Sequence, residues 1–117
     1  MNATASYYKN QLADLPEGTV IEVMPAGGGR WETEFSKHIL LSPDVDARDF
    51  PDDWDSGIVY VRRAIHATAR SGRLADILVE DTGNLYIRWY KSPISGEWPE
   101  ERNTTNCHEL ASFEVLQ

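Results

Sequence analysis

The chain of 117 residues has one cysteine, Cys107, so no internal disulfide framework is encoded and stability falls to packing. That usage fits a reducing compartment, and the cytoplasm is the expected location. No apolar run approaches the ~18–20 residues of a membrane span. The opening residues, Met1 to Lys9, lack the basic-then-apolar pattern of a secretory leader, so the sequons at Asn2 and Asn103 carry little weight as glycosylation sites. Positive charge is scarce as well: 11 Lys and Arg stand against 19 Asp and Glu, for a net charge of −8. With a pI near 4.7 the protein repels nucleic acid and anionic lipid on average, and a basic partner is favoured.

What is present suffices for one folded domain over residues 1–117. Hydrophobic residues make up 41% and charged residues 26%, so the acidity comes from imbalance and not from a disordered composition.

The acid is concentrated. Ser42 to Asp55 holds Asp44, Asp46, Asp49, Asp52, Asp53 and Asp55 against Arg48 alone, together with Trp54, and supplies five of the eight net negative charges. Residues 57–73 follow with four arginines, Arg62, Arg63, Arg70 and Arg73, and no acid.

Residues 4–15 place Ala5, Tyr8, Leu12 and Leu15 at helical spacing, with Thr4 or Ser6 as cap and Pro16 and Gly18 as the stop. Thr19–Met24 and Trp31–Phe35, joined through Gly27, Gly28 and Gly29, read as a β-hairpin, and Ile39 to Leu41 extend it or return to the core. A phosphate-cradling reading of the glycines fails because a strand, not a helix, follows them. Ser56 caps an expected second helix over Gly57–Ser71, with Ile58, Val61, Ile65 and Thr68 or Ala69 inward and Arg62, His66, Arg70 and Arg73 along another face. Residues 77–80 and 85–90 flank the turn Asp81-Thr82-Gly83-Asn84 as a second hairpin. Its alternation buries Leu85, Ile87 and Trp89 and puts Tyr86, Arg88 and Tyr90 on the opposite, exposed face. Residues 92–106 read as a connection and Leu110–Leu116 as a last strand with Ala111, Phe113 and Val115 inward. The expected fold is therefore α+β: an antiparallel sheet of about five strands with two helices.

For chemistry, the Asp-rich stretch offers oxygen ligands, but counting from Asp44 it puts Arg48 and Asp49 where the calcium-loop pattern needs a ligand and a glycine. Spaced along an extended chain, its carboxylates instead imitate a row of phosphates, and the plainer alternative is an acidic loop that neutralises the neighbouring arginines. The basic stripe is suited to an anion or to internal pairing with those aspartates. Tyr86, Arg88 and Tyr90 have the composition of an interface. Cys107 and His108 are neighbours that would point to opposite faces of a strand, so they make no nucleophile and base pair. The histidines 38, 66 and 108 lack metal-ligand spacing. Glu32 and Glu34 share a strand face, which ordinary solvation explains.

No cofactor, metal or catalytic residue is assigned. The leading expectation is a non-catalytic inhibitor that blocks the basic, nucleic-acid-binding surface of a partner protein, in the manner of phage anti-CRISPR and anti-restriction proteins. It would use the six aspartates, Trp54, Tyr86, Arg88 and Tyr90, bind neither nucleic acid nor membrane directly, and be a monomer or a homodimer. The alternatives are an immunity or antitoxin-type protein that neutralises a toxin enzyme, and a small metal-binding module or enzyme built on the Asp-rich loop.

Overall fold

The computed structural model describes residues 2–27, 38–45, 57–66, 74–90 and 104–116. The elements run α1 (Ala3–Asp14), β1 (Val20–Pro25), β2 (His38–Val45), β3 (Ile58–His66), β4 (Leu74–Glu80), β5 (Leu85–Tyr90) and β6 (Thr104–Val115). Each strand pairs antiparallel with the next, and β6 returns to pair with β1, so the sheet closes into a barrel. This overturns the expected open α+β sheet with two helices. The two strands that would have been its edges pair with each other, which removes the unpaired rows that an open sheet must protect.

The expected helix over 57–71 is a strand as far as it is described. Ile58-Val59-Tyr60-Val61 is a run of β-branched and aromatic side chains that fit a pleated surface better than a helix. Ile58, Val61 and Ile65 satisfy helical spacing, but the observed alternation is of period two: Tyr60, Arg62 and Ala64 share one face and Val61 lies on the other. The basic stripe of that helix therefore dissolves, with Arg62 buried on β3 and Arg70 and Arg73 outside the described residues.

The first helix forms where expected, with a different cap. The side chain of Asn2 accepts from the Ala5 N–H at 2.8 Å, satisfying one of the unpaired donors of the first turn, and its amide donates to the Thr82 carbonyl. The helix thus starts on the β4–β5 turn. There Gly83 has φ +99°, and a Cβ on it would stand 2.9 Å from the Thr4 Cβ, so the turn needs glycine both for its conformation and for the approach of α1.

The core joins both. Ala5 and Leu12 of α1 pack with Ile21, Val23, Ile39, Leu41, Ile77, Ile87 and Trp89 from inside the ring. The β4–β5 hairpin forms around the expected turn, with β4 starting at Leu74, three residues earlier than expected, and with Leu85, Ile87 and Trp89 buried. Two irregularities re-aim side chains. Between Leu41 and Asp44 the register on β3 slips by one residue, so that Ser42 and Pro43 oppose a single position of β3, and Pro43 lacks a ladder donor. On β6 the register jumps at Ala111, so Leu110 and Phe113 both face the core while Ala111 is exposed, against the expectation that Ala111 faces inward. β6 also begins earlier than expected, at Thr104 inside the segment read as a connection.

Candidate functional site

The closed antiparallel order brings the starts of β1, β3 and β5 to the same end as the finishes of β2, β4 and β6. The hydrogen bonds from Asn2 to Asp81 and Thr82 place α1 at that end too. Asp14 ends α1, Glu17 lies between α1 and β1, Asp44 near the finish of β2, Asp81 in the β4–β5 turn and Glu114 near the finish of β6. All five are exposed, as is Glu109 on β6. On the outside of the barrel Glu22 stands opposite Glu114 in register, a like-charge placement that sheets ordinarily avoid. The chain also leaves β2 at Val45 and re-enters at Gly57 here, the Gly57 carbonyl accepting from the Asp81 N–H at 2.8 Å.

The cations are treated in the opposite way. Among the described residues no lysine or arginine is exposed: Arg62 and Arg88 are buried, and Lys9 and Arg63 are half-buried. Every exposed charged side chain that is described is a carboxylate.

Arg62 explains how one arginine is withdrawn. Its Nη1 donates to the Leu12 carbonyl at 2.6 Å, and its Nε donates to the Ser42 carbonyl released by the irregularity around Pro43. Leu12 lies in the last turn of α1, where its carbonyl also accepts from the C-cap Leu15 N–H at 3.3 Å and a cation is favoured by the helix dipole; α1 has no basic residue of its own there. A strand residue supplies the missing charge. Beside it the Tyr60 hydroxyl donates to Asp44 Oδ2 at 3.0 Å. Burial, together with the bond and charge of Asp44, pushes the Tyr60 phenol up to about 12, against the opposing effect of Arg62.

On the outer face of β3–β6, Arg63, Asp76, Arg88 and Cys107 follow one another in register across four strands. Asp76 is fully buried and accepts from the Tyr90 hydroxyl at 2.9 Å. Burial pushes the Cys107 thiol up to about 11, with Arg88 opposing and Asp76 reinforcing the shift, so the thiolate needed of a nucleophile is disfavoured. His108 is in register with Ile87 and Cys107 with Arg88, which puts the two on opposite faces as their adjacency implied.

Of the sequence-derived site residues, Asp44 is exposed at the acidic end, while Asp46, Asp49, Asp52, Asp53, Asp55 and Trp54 lie outside the described residues. Tyr86, Arg88 and Tyr90 do share the face opposite Leu85, Ile87 and Trp89, yet Arg88 and Tyr90 are buried and Tyr86 is half-buried. The expected exposed face is mostly withdrawn from solvent because β4 and β5 are covered on both sides. Two burials escaped sequence reading. Asp76 had a visible signal, a single acid inside Leu-Ala-Asp-Ile-Leu-Val, since an isolated carboxylate in an apolar run is ordinarily buried with a partner. Arg62 had none, because its partners are main-chain carbonyls distant in sequence.

Among the described residues no group of three or more His, Cys, Asp or Glu side chains could hold a metal ion, and no helix is long and apolar enough to cross a membrane. The chain matches no family model, no curated protein and no solved structure.

Proposed function

We propose that this protein is a non-catalytic inhibitor that covers a basic, nucleic-acid-binding surface of a partner protein. The observation that carries the reading is the sorting of charge among the described residues: their arginines are drawn into the barrel and its covered outer face, while their exposed carboxylates gather mostly around one end. A barrel end whose described exposed charges are all of one sign focuses its field and speeds encounter with a surface of the opposite sign. The Asp-rich residues 46–55 add five carboxylates to the connection between β2 and β3, whose flanking residues Val45 and Gly57 lie at that end. The same field disfavours nucleic acid and anionic membrane as direct ligands. The withdrawn thiol of Cys107 and its separation from His108 supply no activated nucleophile.

The test is affinity capture from cells of the source organism on the tagged full chain, followed by elution with rising salt and, separately, with duplex DNA. The reading expects a nucleic-acid-processing protein that DNA displaces and that salt releases, because exposed charges are screened over ~8–10 Å at physiological ionic strength. Its association rate should fall when Asp52, Asp53 and Asp55 are replaced by Asn. A captured partner with an acidic surface, or one that DNA does not displace, overturns the reading, and a toxin enzyme held through its active site would establish the immunity-type alternative.

A further inference from the structure

Among the described residues three large apolar side chains stand out as exposed, Tyr7 at 56% on α1, Val115 at 50% at the end of β6 and Leu116 at 42% just beyond it. Tyr7 stacks edge-on to Tyr8 with ring centres 5.5 Å apart, and Tyr8 reaches Phe113 at 6.2 Å. The Tyr8 hydroxyl donates to the Ala111 carbonyl, which ties α1 to β6 at the point where the register jumps. The result is an aromatic seam of Tyr7, Tyr8 and Phe113, which the exposed Val115 and Leu116 continue along the chain at the same end of the barrel. It lies at the acidic end. Asp14 is seven residues beyond Tyr7 on the same helix face, with Gln11 between them donating to the Tyr7 hydroxyl at 2.9 Å, and Glu114 separates Phe113 from Val115.

Charge selects the occupant. A second copy of the chain would bring another net −8 and the same exposed carboxylates to the seam, and a polyanion would meet the same repulsion. A segment rich in arginine meets the opposite. Its guanidinium planes suit tyrosine faces and carboxylates together, and adjoining apolar side chains would cover Val115 and Leu116. We infer that the seam formed by Tyr7, Tyr8, Phe113, Val115 and Leu116 is the anchoring patch on which a basic protein segment with interleaved arginine and apolar side chains docks. This inference rests on the basic-partner reading above and adds where the partner is held and what its contacting segment contains. None of these five residues was singled out as a site from the sequence.

The experiment is a nuclear magnetic resonance titration of the full chain with two synthetic octapeptides, one alternating arginine with leucine and one alternating arginine with serine. Both carry the same charge. The expected result is that the arginine–leucine peptide binds more tightly and shifts amides of residues 4–15 and 111–116. The variants Tyr7→Ser and Leu116→Ser, at exposed positions whose loss the fold tolerates, should each weaken that peptide by about tenfold while changing the arginine–serine peptide less than about twofold. Thermal melts of both variants should match the parent. Equal binding of the two peptides, or shifts confined to residues 46–56, overturns the seam and leaves the basic-partner reading standing. Failure of both peptides to bind at low salt overturns both. A concentration-dependent dimer abolished by Tyr7→Ser would reassign the seam as a contact between copies and also overturn the inference.

Discussion

Two tyrosine–aspartate pairs have nearly the same geometry and opposite circumstances. Tyr60 donates to Asp44 at 3.0 Å at the rim between β2 and β3, with Asp44 exposed; Tyr90 donates to Asp76 at 2.9 Å on the covered face of β4 and β5, with Asp76 fully buried. At the rim the carboxylate keeps its hydration and remains part of the charge on the surface. On the covered face the carboxylate has given up water, so it depends on the protein groups around it, with Arg63 and Arg88 standing opposite in register on either side. The comparison teaches that in this acidic protein carboxylates do two separable jobs, and that burial, not sequence, assigns them.

The largest effect that would sharpen the comparison is expected from Asp76→Ala. Removing one member of a buried charged group strands the others, and the loss should be ~3–5 kcal/mol by urea unfolding. A loss as small as that of Asp44→Ala would show that the two pairs are equivalent and break the contrast. Next come the hydroxyl deletions. Tyr90→Phe leaves a buried carboxylate oxygen without its donor and should cost ~1–3 kcal/mol, whereas Tyr60→Phe leaves Asp44 to water and should cost ~0.5–1.5 kcal/mol.

The rim pair also carries a pH signature. The Tyr60 phenol sits near 12 in the folded protein against 10 in an unfolded chain, so folding favours its protonated form. That contribution is complete below pH 10 and is lost as pH rises from 10 to 12. Subtracting the stability profile of Tyr60→Phe from that of the parent over pH 9–12 should expose the decline, and a flat difference would refute it. Cys107 is the smallest expected effect. Cys107→Ser should move the melting midpoint by little, and at pH 8 the native thiol should react with iodoacetamide far more slowly than the urea-unfolded one, because burial holds it protonated.

Much of the local structure was legible. The first helix, the β4–β5 hairpin and the inward set Leu85, Ile87 and Trp89 followed from spacing and turn residues that act within a few positions. β3 was misread because Ile58, Val61 and Ile65 fit a period of 3.6 while the denser β-branched run around them favoured an extended chain. Barrel closure was invisible because pairing of β1 with β6 leaves no mark on either strand alone. The exposure of Arg88 and Tyr90 was misjudged for a related reason: alternation told their face correctly, but only the unbroken burial of Leu74 to Val79 tells that the face is covered, and that lies on the neighbouring strand. Of the acidic surface, the sign was legible from composition, whereas its freedom from exposed cations among the described residues was not, since that depends on Arg62 reaching the Leu12 and Ser42 carbonyls.

The seam between β1 and β6 also governs how the molecule comes into being. Val23 faces Phe113 across it, a separation of 90 positions. At a synthesis rate of ~5–20 residues per second, the first strand must wait roughly 5–20 s for its partner, with Ile21 and Val23 uncovered on that flank. The hairpin of β4 and β5 can form within its own few residues long before, so the nascent chain passes through an open curl that only the last strand shuts. Truncation before Leu110 would remove the residues that pair with β1 and leave two unpaired strand flanks ready to recruit other chains.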